Sequence, residues 1–215
     1  DIISFLDSSF GEKKYLLMLT SDHGAASMPK KMISKGLKSG YFQGELLKNQ
    51  INEQLAKKYH IDQIVWRYAN MQFYIDERLI DSLGLVKQQI YHDIIEWLEK
   101  KPSIDVAYDW DKLNSSLPTA KNMMLINGIY PSRSGDIYIL LKPGFVERST
   151  ETGTAHGTHY VYDTHVPLFF YGMKIKSQFI DRGVNITDIA PTLSLFLKTA
   201  FPSGCTGDPI PEVFN

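Results

Sequence analysis

Two short stretches of this sequence hold the residue types that divalent-metal chemistry needs. The first is Thr20-Ser21-Asp22-His23-Gly24. The second is His156-Gly157-Thr158, followed by Tyr160, Asp163 and Val166-Pro167-Leu168-Phe169-Phe170. Carboxylate oxygen and imidazole nitrogen are ligands for hard and borderline divalent ions, and zinc accepts both in one site. Adjacent side chains such as Asp22 and His23 face opposite ways in a regular strand. In a loop just past a strand end both can turn toward one ion, and Gly24 permits the backbone turn that such a loop needs. An Asp-His pair alone is more often a turn with a capping aspartate, and a lone histidine in a Gly-rich loop is ordinary. The two stretches together put metal ligation by Asp22, His23 and His156 ahead. His60 and His92 read as surface or boundary residues, and His159 and His165 as packing or outer hydrogen-bonding groups near the site. Cys205 is the single cysteine, so neither an intrachain disulfide nor a cysteine zinc cluster is available. It reads as an incidental loop thiol.

The elements that must position these residues follow from hydrophobic pattern. Ile2, Ile3, Phe5, Leu6 and Phe10 form one helical face that stops at Gly11, a common C-terminal breaker. That beginning looks like the middle of an element, with residues expected upstream. The apolar run from Tyr15 to Thr20 has strand length and no alternation, which suits a strand covered on both faces of a mostly parallel sheet. In such sheets ligands gather beyond the carboxyl ends of the strands, where Asp22 and His23 fall. Residues 25–44 show no period and read as a long loop. A helix from Glu45 carries Leu47, Ile51 and Leu55, and the run Ile64 to Ile75 reads as one strand or two. A second helix from about Leu85 aligns Val86, Ile90, Ile94, Trp97 and Leu98 and closes at Pro102. Ile104 to Tyr108 reads as a short strand. The segment of roughly 45–115 is therefore expected to form a small α+β subdomain inserted in a single domain, 1–215. Strands at Asp136–Leu141 and Val166–Tyr171 follow, separated by a loop at 149–158. A last helix is expected from an N-cap at Thr187 to about Lys198.

Composition narrows the function from the other side. A chain of 215 residues can bury one substantial core. Its formal net charge of −1 gives no electrostatic reason to expect nucleic acid or an anionic membrane as a partner. Lys30-Lys31 and Lys57-Lys58 read as solvated pairs. No run of about 18 apolar residues exists to span a membrane, and no leader pattern opens the chain.

Taken in order, Thr20-Ser21-Asp22-His23-Gly24, His156-Gly157-Thr158 before Val166-Pro167-Leu168, and Asp188-Ile189-Ala190-Pro191-Thr192-Leu193 resemble the alkaline phosphatase superfamily over the whole chain. The pattern is nearest to phosphate-irrepressible bacterial alkaline phosphatases and to the nucleotide pyrophosphatase/phosphodiesterases. The resemblance implies an alkaline-phosphatase-like α/β fold, a mostly parallel sheet flanked by helices, of which this chain would be the C-terminal portion. It also implies two divalent metal ions, expected to be zinc. Asp22 and His23 match the pair that binds the ion beside the nucleophile, and His156 matches a ligand of the other ion. A Thr or Ser nucleophile, expected upstream of Asp1, would form a covalent phosphoenzyme that is then hydrolysed. The fragment alone is expected to bind metal weakly, or to be metal-free, and to hydrolyse nothing. The Asp188–Leu193 stretch reads as a packing and helix-start motif, and Arg133-Ser134-Gly135-Asp136 as structural.

The activity so implied is a phosphomonoesterase acting on a small phosphate ester, in the periplasm or secreted. A phosphodiesterase or nucleotide pyrophosphatase, a sulfatase, or a non-catalytic binding module on the same fold are the alternatives. Sulfatases usually carry a Lys-Gly stretch where this chain has His156-Gly157-Thr158, which favours the phosphatase side. An apolar face left open by absent strands is expected to promote dimerisation.

Overall fold

The computed structural model describes residues 1–214; Asn215, the last residue of the expected domain, lies outside the described residues. The chain opens with α1 (Ile2–Phe10), β1 (Leu16–Thr20), α2 (Pro29–Ser34), β2 (Gly40–Phe42) and α3 (Gly44–Tyr59). Next come β3 (Val65–Ala69), β4 (Gln72–Ile75), α4 (Glu77–Ser82), α5 (Lys87–Glu99), β5 (Ile104–Asp109), α6 (Trp110–Asn114) and α7 (Ala120–Gly128). It ends with β6 (Ile137–Leu141), β7 (Phe145–Glu147), α8 (Val161–Thr164), β8 (Leu168–Gly172) and α9 (Ile189–Leu197). These elements form two compact units, one of Asp1–Asp22 with Val166–Asn215 and one of His23–His165.

The second unit is built on a four-stranded sheet in the order β3-β4-β6-β5, antiparallel throughout. Asn70 and Met71 join β3 to β4 with φ of 50° and 61°, as a tight hairpin requires to match strand twist. The apolar faces expected of α3 and α5 are buried, through Leu47, Ile51 and Leu55 on one and Ile90, Ile94, Ile95 and Leu98 on the other. They pack into one core with Ile64, Phe73, Ile80, Ile104, Ile137 and Ile139. β6 lies between β4 and β5 and is buried at every position. This strand comes from beyond the 45–115 segment expected for the subdomain. Its entry is fixed by Asp136, whose Oδ2 accepts from Ile75 N at 2.6 Å and whose N–H donates to Phe73 O at 2.9 Å. Burial raises the Asp136 carboxyl above its ordinary range. Arg133-Ser134-Gly135-Asp136 is thus a strand latch.

Within the stretch 25–44 the structure has a helix and a strand where an unbroken loop was expected. Six-residue α2, started by Pro29 at its N-terminus, is too short to display a period. β2 pairs in parallel with β7.

In the first unit β1 and β8 pair antiparallel, in register from Leu16 opposite Gly172 to Thr20 opposite Leu168. Gly172 has φ of +115°, and a Cβ there would lie 1.8 Å from Tyr15 O. The expected mostly parallel pairing is therefore not what these strands show; among the described residues β2 with β7 is the one parallel pair. A continuous apolar run reports how well a strand can be covered, not the direction of its neighbour. Here β1 is only half-covered, and the facing pair Leu19 and Phe169 is 60% and 58% exposed.

The last helix starts later than Thr187. Asn185 and Asp188 make a reciprocal capping box around a single 3-10 turn, Ile186–Asp188, and α9 follows at Ile189. Asp188 also accepts from Asp208 N at 3.1 Å. The buried Thr192 hydroxyl donates to Asp188 O at 2.6 Å and accepts from Ile210 N at 2.9 Å. The Asp188–Leu193 stretch is thus a packing node.

Candidate functional site

β1 closes at Thr20, whose hydroxyl donates to Pro167 O at 2.9 Å within the first unit. Ser21 Oγ then donates to Asp22 Oδ1 at 3.3 Å. Asp22 is exposed and is the last residue of that unit, and the half-buried His23 is the first of the other.

Within the second unit the structure brings together two residues that the sequence keeps far apart. The imidazoles of His23 and His156 lie face to face, with centroids 3.5 Å apart and planes 12° from parallel. His23 Nδ1 lies 2.7 Å from Gly24 O. A carbonyl can only accept, so Nδ1 carries a proton, and in the neutral ring the lone pair is then on Nε2. That is the tautomer of a metal-binding imidazole whose far nitrogen is fixed by a backbone carbonyl.

The loops bearing the two rings are joined repeatedly. Ala26 N donates to Ala155 O at 3.0 Å, and the Thr154 hydroxyl donates to Ala26 O. Gly24 N donates to Asp163 O at 2.8 Å. Gly24 has no substitute here, because a Cβ would sit 2.0 Å from Tyr162 O. On the other side of the sequence, Gly157 takes φ of +97° between His156 and Thr158. The Thr158 N–H and hydroxyl then both donate to Asp163 Oδ2, at 2.7 and 2.6 Å. Tyr160 anchors the same loop to the sheet by donating to Leu141 O at the end of β6, at 2.9 Å. Burial pushes the Tyr160 phenol up to about 12.

Asp163 sits at the junction of these bonds and is 3% exposed. Its Oδ1 is buried and has no hydrogen-bond partner among the described residues. The sequence holds Asp163 in plain view beside the His156 motif, but no spacing rule gives it a task. A buried acid in the short helix α8 is a signal that becomes visible only in the folded structure.

The remaining histidines fall outside the stack. His159 packs its ring on Tyr160, 4.1 Å between centroids, and burial lowers its pKa. His60 caps α3 in the left-handed region, and His60, His92 and His165 are exposed. Cys205 is a half-buried free thiol. Among the described residues no group of three or more His, Cys, Asp or Glu side chains could hold a metal ion. Within the second unit the stacked pair offers two imidazole nitrogens, ligands of the kind zinc takes.

Comparison with known proteins gives the family of the chain. The profile of the type I phosphodiesterase / nucleotide pyrophosphatase family matches residues 1–163. The alkaline phosphatase PafA of Elizabethkingia meningoseptica is 36% identical over 100% of this chain, which covers 39% of that protein. A protein of Myroides odoratus named calcium-transporting ATPase is 34% identical over 100% of this chain and 40% of its own length. The crystal structure of wild-type alkaline phosphatase PafA matches the fold with a TM-score of 0.89 and 35% identity, over 99% of this chain and 40% of that one. This chain thus spans about 40% of the length of these relatives.

Proposed function

The chain belongs to the type I phosphodiesterase / nucleotide pyrophosphatase family, in the alkaline phosphatase superfamily, and from that membership we propose that it forms part of a two-metal phosphoester hydrolase. The observation that carries the reading is the face-to-face pairing of His23 and His156. In the proposal Asp22 and His23 hold one zinc ion and His156 contributes to the other. When bound, two such ions would supply activation of an attacking oxygen and stabilisation of a leaving one.

The task of these residues is to present nitrogen and carboxylate donors in a fixed arrangement. The Gly24 carbonyl holds the His23 tautomer, and the loop bonds to Asp163 hold the backbone on either side. The attacking hydroxyl, which would form a covalent phosphoenzyme, is assigned to a residue outside these 215, so the 215 residues alone do not turn over. A phosphate monoester is the proposed substrate, and a periplasmic or secreted location is proposed from the bacterial alkaline phosphatase relatives. No helix among the described residues is long and apolar enough to cross a membrane.

The test is metal analysis and turnover of the full-length protein. Zinc is expected at two ions per protein. An aryl phosphate should be hydrolysed faster than an aryl phosphodiester, ATP or an aryl sulfate, and His156→Ala should remove that activity. A faster phosphodiester or ATP reaction would move the substrate to the diester or phosphoanhydride class. A metal-free protein that turns over none of the four would end the hydrolase reading.

A further inference from the structure

We infer that Asp163 is a positioning residue for the imidazole pair, setting the places of His23 and His156 at once through the backbone of their loops. The inference rests on the metal-site reading above and deepens it. One carboxylate oxygen accepts both the N–H and the hydroxyl of Thr158 at 2.7 and 2.6 Å, and Thr158 is separated from His156 only by Gly157. The main-chain oxygen of the same residue accepts Gly24 N at 2.8 Å, and Gly24 follows His23 directly. A shift of Asp163 therefore moves both ring-bearing loops together. Its own place is set by the first turn of α8, where its N–H donates to Tyr160 O at 2.8 Å. Tyr160 is in turn tied to the end of β6.

The chemical type of the residue supports a functional role. For packing alone a carboxylate is a poor choice at 3% exposure, the more so with Oδ1 buried and lacking a partner among the described residues. A carboxylate does one thing there that a smaller polar group does less well. It accepts two converging donors on a single oxygen as charge-assisted bonds, which are shorter and stronger than neutral ones. Gly24 and Gly157 are the complement. The first lets the chain approach Tyr162 O and the second supplies the φ of +97° between ring and anchor.

The experiment uses the full-length protein and measures zinc affinity by chelator competition. It also records the histidine ring-proton resonances of the metal-free protein. Asp163→Ala is expected to weaken zinc binding about 10- to 100-fold, the usual loss when a group supporting a metal ligand is removed, and to shift ring signals from both His23 and His156. Asp163→Asn, which keeps an oxygen for Thr158, should recover most of the affinity. Thr158→Val should lose affinity and Thr158→Ser regain it, a pair that decides the matter if Asp163→Ala does not fold. A folded Asp163→Ala protein with wild-type zinc affinity and unmoved ring signals would overturn the inference, as would wild-type affinity in Thr158→Val. Undiminished affinity in both His23→Ala and His156→Ala would overturn the metal reading itself, and the inference with it. Loss in those two beside wild-type affinity in Asp163→Ala would remove the positioning role alone.

Discussion

Replacing Gly24 by alanine tests the loop geometry with a single methyl group. The backbone at Gly24 is outside the left-handed region, so alanine is conformationally permitted and any penalty is steric. Its Cβ would stand 2.0 Å from Tyr162 O and 3.0 Å from Tyr162 C, whereas ordinary contact begins near 3.4 Å. Both neighbours are backbone, so no side chain can swing aside, and the loops must separate by roughly 1 Å or more. That separation breaks the 2.8 Å bond from Gly24 N to Asp163 O, worth about 1 kcal/mol net. Overpacking adds about 1–3 kcal/mol, for a total of about 2–4 kcal/mol. At about 2–4 °C per kcal/mol for a chain of this size, the melting temperature should fall by roughly 5–15 °C. If the loop yields locally instead, the displacement appears at the rings, where a misplacement of about 1 Å costs on the order of 100-fold in turnover. The control is Gly183→Ala, where a Cβ meets nothing within 4 Å. Melting curves and aryl phosphate turnover of the full-length protein, measured for both variants, decide the matter. A Gly24→Ala protein that matches Gly183→Ala in both would refute the loop geometry.

Three further outcomes follow from other parts of the fold. Burial raises the pKa of Asp136 from the ordinary 3.8, so the stability this group contributes is fully present below 3.8 and is lost as pH rises through the folded value. Asp136→Asn should therefore be at least as stable as wild type at neutral pH. The gap should close as the medium is acidified, and a pH-independent gap in urea midpoints would contradict the assignment. Thr192→Val keeps the shape but leaves Ile210 N and Asp188 O without the buried hydroxyl they share. A loss of about 2 kcal/mol is expected, recovered by Thr192→Ser, and calorimetry showing no change would contradict it. The 215 residues alone should self-associate through the exposed ladder of Leu19 and Phe169 and the exposed Ile2 and Phe5 of α1. A clean monomer by light scattering at high concentration would count against this.

Much of the second unit was legible because its helices are long enough to show a period and its strands are bounded by turn residues. Ile90, Ile94 and Leu98 repeat at four and are all buried. Asp136 to Leu141 reads as a strand and is one, apart from its first residue, which latches the strand instead. Strand direction was not legible, because pairing depends on partners distant in sequence while apolarity reports only cover. α2 and β2 escaped for want of length, and the cap at Asn185 was hidden by the 3-10 turn between it and α9. At the site, residue chemistry picked out His23 and His156, and the structure stacks them. What holds them was invisible, since a hydrogen bond from Thr158 to Asp163 leaves no periodic trace.

That asymmetry has a physical basis. Groups that meet a ligand must be reachable, and His156 is exposed and His23 only half-buried. Reachable loops have few apolar contacts to fix them, so their order must come from bonds to something that cannot move. Here that something is the buried end of β6, reached through Tyr160 and Asp163. The residues most sensitive to substitution should then include ones with no ligand chemistry of their own. Gly24 is defined by the carbonyl it must approach, Thr158 by the two donors it aims at one oxygen, and Asp163 by accepting from both loops. A site of this design is lost by a shift of the frame as surely as by removal of a ring, and the frame is where a single methyl group does the most damage.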